Sequence, residues 1–81
     1  MFGEGKRTFK ELQLLILKAI KTKKLTKNQI SRKMNIRWEV VDHQLILLKG
    51  QDYAKIFFEH EKMKIYTITK LGLKYLKKIT R

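Results

Sequence analysis

The two histidines, His43 and His60, are the side chains of this sequence best suited to acid–base or metal chemistry. They fall on different predicted elements, and no serine or carboxylate is spaced to form a relay with either. Glu59-His60-Glu61 is predicted to be a charged hairpin tip, where a single turn gives poor metal geometry. The sequence has no cysteine and no glycine-rich phosphate loop. We therefore predict that the protein is not an enzyme and uses neither a metal ion nor a cofactor.

Positive charge is the strongest signal in the composition. There are 20 Lys and Arg residues against 7 Asp and Glu, which gives a net charge of +13 and a pI near 10.2. Such a charge opposes the compact state and indicates a polyanionic partner. The expected partner is nucleic acid, and an anionic membrane surface is the second candidate. The alternative is that the lysines only make the surface soluble and bind no partner.

The length of 81 residues and the hydrophobic share of 43% predict one domain with a modest core. Gly3 and Gly5 predict a flexible N-terminal arm at residues 1–6, with the domain expected at residues 7–81. The first residues lack the apolar stretch of a signal peptide, and the longest apolar run, Leu14 to Leu17, is too short to span a bilayer. We expect a soluble, cytoplasmic protein that does not enter the membrane.

Two capping patterns begin the first two predicted helices. Thr8-Phe9-Lys10-Glu11 is a capping box that starts helix 1, which extends to about Thr22. After a brief extended segment near Leu25, Thr26-Lys27-Asn28-Gln29 starts a short helix 2. This helix ends near Asn35, a residue type that tolerates the left-handed conformation of a tight turn.

The rest of the chain is predicted to be a helix, a hairpin and a last helix. Helix 3 starts at about Arg37, buries Val41, Leu45 and Leu48 at helical spacing, and is stopped by Gly50. Residues 53–59 and 64–69 are rich in β-branched and aromatic residues and predict an antiparallel hairpin linked by residues 60–63. Thr69 caps the final helix.

Helices 2 and 3 with their short turn form a helix-turn-helix, which the hairpin extends. Four parts of the sequence resemble a known protein family. They are Leu25-Thr26, the apolar positions Ile30, Met34 and Ile36, the helix 3 stripe, and Tyr66-Thr67-Ile68-Thr69-Lys70-Leu71-Gly72 with Leu76. Through them the chain resembles the small winged-helix transcription regulators of archaea and their viruses. The family usually has glycine where this chain has Asp52. The resemblance implies an α+β winged helix-turn-helix of three helices, a two-stranded wing hairpin and a C-terminal helix, which binds double-stranded DNA.

The candidate DNA contacts on helix 3 follow from its predicted position in the major groove. Arg37 opens the helix and can grip guanine or a phosphate. Trp38 either packs on sugar or a thymine methyl, or covers the edge of the core. His43 lies opposite the buried stripe, and Gln44 lies nearer the buried flank. Glu39 either accepts a hydrogen bond from cytosine N4 or interacts favourably with the positive N-terminal end of the helix. For Asp42 we prefer a favourable interaction with the positive end of the helix.

Further contacts are expected from helix 2 and the wing. Thr26, Lys27 and Asn28 start helix 2, where free N–H groups and the helix dipole suit a phosphate oxygen. Lys62 and Lys64 flank the wing tip and can straddle a phosphate or enter the minor groove, and Lys55 lies on the preceding strand.

Surplus apolar residues predict self-association. A single-domain core does not account for Leu14, Leu17, Ile46, Leu47 and Leu73, and excess apolar surface on terminal helices usually marks an interface. We expect a homodimer through helices 1 and 4; the alternative is that these residues pack beneath the wing.

Three functions remain open from the sequence. The first is sequence-specific DNA binding by a transcription regulator. The others are a winged-helix module that docks an acidic protein and an architectural DNA-binding protein without base readout.

Overall fold

The computed structural model describes residues 8–79, so the expected arm of residues 1–6 lies outside the described part. The elements follow in the order α1 (Phe9–Thr22), β1 (Leu25–Thr26), α2 (Lys27–Met34), α3 (Trp38–Gly50), β2 (Ala54–His60), β3 (Met63–Ile68) and α4 (Lys70–Ile79). This confirms the predicted α+β winged-helix class. The sheet differs from the expectation, because β1 adds a third strand to the hairpin in the order β1-β3-β2.

Both predicted capping boxes form. The Thr8 hydroxyl accepts from the Glu11 N–H at 3.1 Å, and the Glu11 carboxylate accepts from the Thr8 N–H at 2.8 Å. Thr26 and Gln29 repeat the exchange at 3.2 and 2.9 Å. Each box satisfies two backbone donors that a helix start otherwise leaves unpaired, so it fixes where α1 and α2 begin.

The turn between α2 and α3 depends on Asn35, which has a φ of 54° as predicted. The chain then reverses so that the Ile36 N–H reaches the Ser31 carbonyl at 3.0 Å, while the Ser31 hydroxyl donates to the Ile36 carbonyl. Ile36 is thereby 3% exposed. Arg37 is the N-cap of α3 and makes no side-chain cap hydrogen bond, so the helix begins at Trp38, one residue later than expected.

The end of α3 corrects one prediction. Gly50 does not stop the helix but is its last residue, and its φ is not positive. The left-handed residue is instead Asp52, with a φ of 67°. Aspartate adopts this conformation at lower cost than most residues other than glycine and asparagine, so Asp52 takes the place of the family's glycine and turns the chain into β2.

The hairpin is longer than predicted at its tip. His60 pairs with Met63, so only Glu61 and Lys62 form the turn, and Glu61 takes a φ of 53°. Further down, Ile56 pairs with Tyr66 but Phe58 pairs with Ile65, which leaves Phe57 as an extra residue on β2. Such a β-bulge shifts the alternation of side chains beyond it.

One core joins all four helices and the sheet. The predicted helix 3 stripe is buried, with Val41 and Leu48 at 0% exposure. Leu17 is also fully buried, and Leu14 packs against the core. The prediction that Leu17 is surplus to a single-domain core is therefore wrong. No helix within residues 8–79 has the length and hydropathy needed to cross a membrane.

Helix α4 is anchored at its first turn. Thr69 donates its hydroxyl proton to the Asp52 carbonyl at 2.6 Å and accepts from the Gly72 N–H at 2.9 Å. A Cβ added to Gly72 would lie 2.1 Å from the Tyr53 carbonyl oxygen. Only glycine therefore fits where α4 crosses the start of the wing, and the close approach lets the Tyr53 and Tyr75 rings stack at 4.3 Å.

The two helical glycines provide a matched test of this packing. Gly72→Ala is expected to lower the free energy of unfolding by about 3 kcal/mol, because the clash is with backbone rather than with a flexible side chain. Gly50→Ala, where nothing lies within 4 Å, is expected to raise it by about 0.5–1 kcal/mol through helix propensity. Urea unfolding monitored by circular dichroism measures both. A Gly72→Ala protein as stable as the parent would contradict the packing argument.

Candidate nucleic-acid interface

A groove of about 480 Å³ lies between the start of α2 and the hairpin. It brings together five of the predicted DNA contacts from two parts of the chain. Its lining residues are Thr26, Lys27, Asn28, Asp42, Lys62, Met63, Lys64 and Tyr66. We call this the basic groove.

Strand β1 is the reason that the groove has two walls. Leu25 pairs with Tyr66 and Thr26 pairs with Ile65, so the residue that caps α2 is also bonded to the wing. The first turn of α2 is thereby held beside β3. Sequence reasoning placed both groups of residues near DNA but did not identify the strand pairing that makes them neighbours.

Lys27 is held in place from two sides. Its Nζ lies 3.1 Å from the Asp42 carboxylate and 4.6 Å from the centre of the Trp38 ring. Both contacts are only partly buried, so each stabilises the fold by about 1 kcal/mol or less. Their main consequence is positional, because the ammonium group is kept at the border between α2 and α3. Asp42 lies beyond the first turn of α3, where Glu39 is the acidic residue, and its carboxylate pairs with Lys27. Its interaction with the positive end of the helix stays a prediction.

Tyr66 lies at the floor of the basic groove and was absent from the predicted site. Burial raises the pKa of its phenol, and the nearby Asp42 and Glu59 carboxylates raise it further against the opposing effect of Lys27. The phenol thus stays protonated at neutral pH and keeps a hydrogen-bond donor in the groove. Its position could have been predicted, since Lys64 and Tyr66 are two residues apart on one strand and share a face.

The solvent face of α3 carries four of the other candidates. The side chains of Arg37 and Glu39 are 67% and 54% exposed and lie 3.7 Å apart, which makes a weak surface ion pair. His43 is also exposed. Trp38 is 48% exposed with Lys27 over its ring, so its ring is not buried in the core.

Two predicted contacts lie elsewhere. Gln44 is 2% exposed and its Oε1 has no hydrogen-bond partner among the described residues, so it does not fit a role in reaching DNA. Its place on α3 between Val41 and Leu45 turns it inward. Lys55 is exposed, but it lies between Ala54 and Ile56, which face the core. Strand alternation therefore directs Lys55 away from the groove.

Within residues 8–79, no three side chains of His, Cys, Asp or Glu type come close enough together to hold a metal ion.

The fold matches solved structures, although no protein-family model and no curated protein sequence matches the chain. A protein of Archaeoglobus fulgidus is 24% identical over 93% of this chain and 87% of its own, with a TM-score of 0.75. FabT of Streptococcus pneumoniae, in complex with DNA, is 18% identical over 96% of this chain and 58% of its own, with a TM-score of 0.76. A MepR variant of S. aureus bound to an oligodeoxyribonucleotide is 21% identical over 85% of this chain and 51% of its own, with a TM-score of 0.70. These similarities establish the winged-helix fold, and the chain spans little more than half of each DNA-bound protein.

Fluorescence can test the position of Lys27, because Trp38 is the only tryptophan. Lys27→Ala removes the ammonium group above the ring and exposes it to water, so the emission maximum is expected to shift to longer wavelength. Lys33→Ala, at an exposed lysine of the same helix, is the matched control and should leave the spectrum unchanged. If the emission maximum of Lys27→Ala were the same as that of the parent protein and of Lys33→Ala, Lys27 would not cover Trp38 in solution.

Proposed function

We propose that this protein binds double-stranded DNA in a sequence-specific manner, as a transcription regulator. The observation that carries the proposal is the position of Lys27. It lines the basic groove and contacts both Asp42 and Trp38, so the groove and the exposed first turns of α3 form one continuous surface. A helix and a flanking basic groove are the two parts that a winged-helix protein needs to read base edges and hold the backbone.

Helix α3 supplies base readout in this proposal. Its buried stripe fixes the opposite face toward the major groove, whose width admits one helix. Arg37 and His43 are the proposed readers, with Trp38 packed on sugar or a thymine methyl. Glu39 has two available roles: it holds the Arg37 guanidinium in place, or it accepts a hydrogen bond from cytosine N4.

The basic groove supplies the phosphate contacts. The first backbone N–H groups of α2 and the helix dipole favour an anion there, and the groove adds the ammonium groups of Lys27, Lys62 and Lys64. Thr26 uses its oxygen lone pair for the cap but can still donate its own proton. Asn28 and Tyr66 add neutral donors beside these charges.

The DNA-bound state of FabT and of the MepR variant supports this assignment, since both share the fold. The charge of +13 supports it independently, because phosphate neutralisation supplies most of the non-specific part of DNA affinity.

Selection from a random duplex pool, followed by titration at several salt concentrations, tests the proposal. We expect a consensus site. Arg37→Ala and His43→Ala should each reduce the preference for that site over a scrambled duplex by about 1–3 kcal/mol. Lys64→Ala should weaken both duplexes equally and reduce the salt slope by about 1. Lys78→Ala, at an exposed lysine of α4, serves as the control with nearly unchanged binding.

The two rival functions give different results in the same titration. A pool without consensus, with all sequences weakened alike by the substitutions on α3, would indicate an architectural protein. Affinity that does not fall as salt rises would rule out phosphate neutralisation and favour docking to a protein.

We also propose that the protein acts as a homodimer through α1 and α4, which would set two copies of α3 in successive major grooves. The support is apolar exposure on both helices: Phe9 is 50% and Leu71 is 46% exposed. Phe9 and Leu71 are therefore the apolar residues that we assign to the interface. Leu17 is not available for it, because it is buried in the core of a single chain.

Sedimentation equilibrium tests the dimer. The parent protein is expected to sediment as a dimer, and Phe9→Glu or Leu71→Glu should shift it toward monomer by placing a charge in the interface. Ile46→Glu, at an α3 residue that is 60% exposed, is the control and should leave the dimer intact. A parent protein that stays monomeric at high concentration would rule out this assembly.

A further inference from the structure

The wing presents a second surface on the side of the sheet opposite Tyr66. Ala54 is 1% and Tyr66 9% exposed, so they define the face that packs on the helices. Lys55 and Thr67, which pair with each other next to them, therefore point to the opposite face. We call this opposite side, with Lys24, Lys55, Phe57, Phe58 and His60, the outer sheet face.

The bulge at Phe57 determines which side chains lie on the outer sheet face. Without it, Phe58 would follow Ile56 onto the inner face. With it, Phe58 pairs with Ile65, and Glu59 pairs with Lys64 in the basic groove. The effect of Glu59 on the Tyr66 phenol agrees with this placement. The one-residue shift thus moves an aromatic ring outward and a carboxylate inward.

The result is an exposed group of aromatic rings among positive charges. Phe57 is 56% and Phe58 48% exposed. The Lys24 Nζ lies 4.8 Å from the centre of the Phe57 ring, and the Phe58 and His60 rings stack with centres 6.5 Å apart. Two exposed phenylalanines on one short strand are costly in water, so a ligand that covers them gains apolar contact.

We propose that the outer sheet face binds single-stranded DNA, with unpaired bases stacked on Phe57 and Phe58 and phosphates near Lys24 and Lys55. Exposed aromatic rings on a strand beside basic side chains are the combination that such binding uses. Duplex DNA cannot use the rings in this way, because its base faces are already stacked on each other.

A second copy of the chain is a poorer occupant of this face. Self-association through it would bring Lys24 and Lys55 of both copies together, in a protein that already carries +13. Single-stranded nucleic acid instead offers both partners that the surface lacks, negative charge and planar apolar rings. The choice of DNA over RNA rests on the proposed function, since the same wing would then lie beside a DNA site.

Fluorescence anisotropy with labelled oligonucleotides tests the proposal on the full chain. The probes are a (dT)12 strand, an abasic strand of equal length, a (U)12 strand and a duplex. The parent protein is expected to bind (dT)12 at least about tenfold more tightly than the abasic strand, because stacking requires bases. The double substitution Phe57→Leu, Phe58→Leu should weaken (dT)12 at least about tenfold and leave duplex binding unchanged. Gly50→Ala, at an exposed position where an added Cβ meets nothing within 4 Å, is the control and should change neither.

Four outcomes would overturn the proposal. Equal binding of (dT)12 and the abasic strand would mean that phosphates alone are recognised, a result that needs no variant and so does not depend on folding. If the double substitution weakened duplex binding and single-strand binding equally, the two rings would be part of the duplex contact. Tighter binding of (U)12 than of (dT)12 would make RNA the ligand, and a change in sedimentation on the double substitution would make this face a protein interface. Failure of duplex binding with (dT)12 binding intact would contradict the proposed function alone.

Discussion

The two-residue pairing of β1 with β3 is the constraint on which the candidate interface depends. Thr26 belongs to both partners, because its backbone lies in the strand that meets Ile65 and its hydroxyl caps α2. The helix-turn-helix and the wing are therefore joined at the position where the first free N–H groups of α2 emerge. A shift of one residue would direct Leu25 away from the core, where it is 8% exposed, so burial fixes the register. Burial of Leu25 thus helps to hold the two walls of the basic groove in register.

Charge in this protein is arranged by position as well as by amount. Residues 8–79 contain few carboxylates, yet Asp42 and Glu39 lie on the face proposed to meet DNA, each beside a basic side chain. A carboxylate on this face weakens the attraction of the surface to phosphate. Its ion pair, however, restricts the motion of the Lys27 or Arg37 side chain. Fixing a long side chain before binding lowers the entropy lost when the complex forms. The two pairs are therefore consistent with readout in which position matters as much as total charge.

Local signals in the sequence predicted more than long-range ones. Both capping boxes, the left-handed Asn35 and the stripe of Val41, Leu45 and Leu48 involve residues within about two turns of each other, and all three appear as predicted. The wrong or missing predictions involve partners far apart in the chain. Leu17 is buried by elements that periodicity does not identify, and the third strand needs a partner 41 positions away at Tyr66. Gly50 was expected to end α3 by residue type alone, although Asp52 makes the turn.

The bulge at Phe57 shows how one residue can give a small wing two chemically different faces. A regular hairpin would place Phe58 beside Lys64 and direct Glu59 outward, so an aromatic ring would enter the groove and a carboxylate would join Phe57 on the outer sheet face. The inserted residue separates them: Lys64, Tyr66 and Glu59 share the groove side, while Phe57, Phe58 and Lys24 share the other. Glu59 then offsets part of the lysine charge in the groove, which is a cost to phosphate binding. The same shift removes a carboxylate from the outer sheet face, where it would repel a polyanion. The bulge leaves Phe57 unpaired and interrupts the ladder of a strand of seven residues, and the separation of the two faces is its structural consequence.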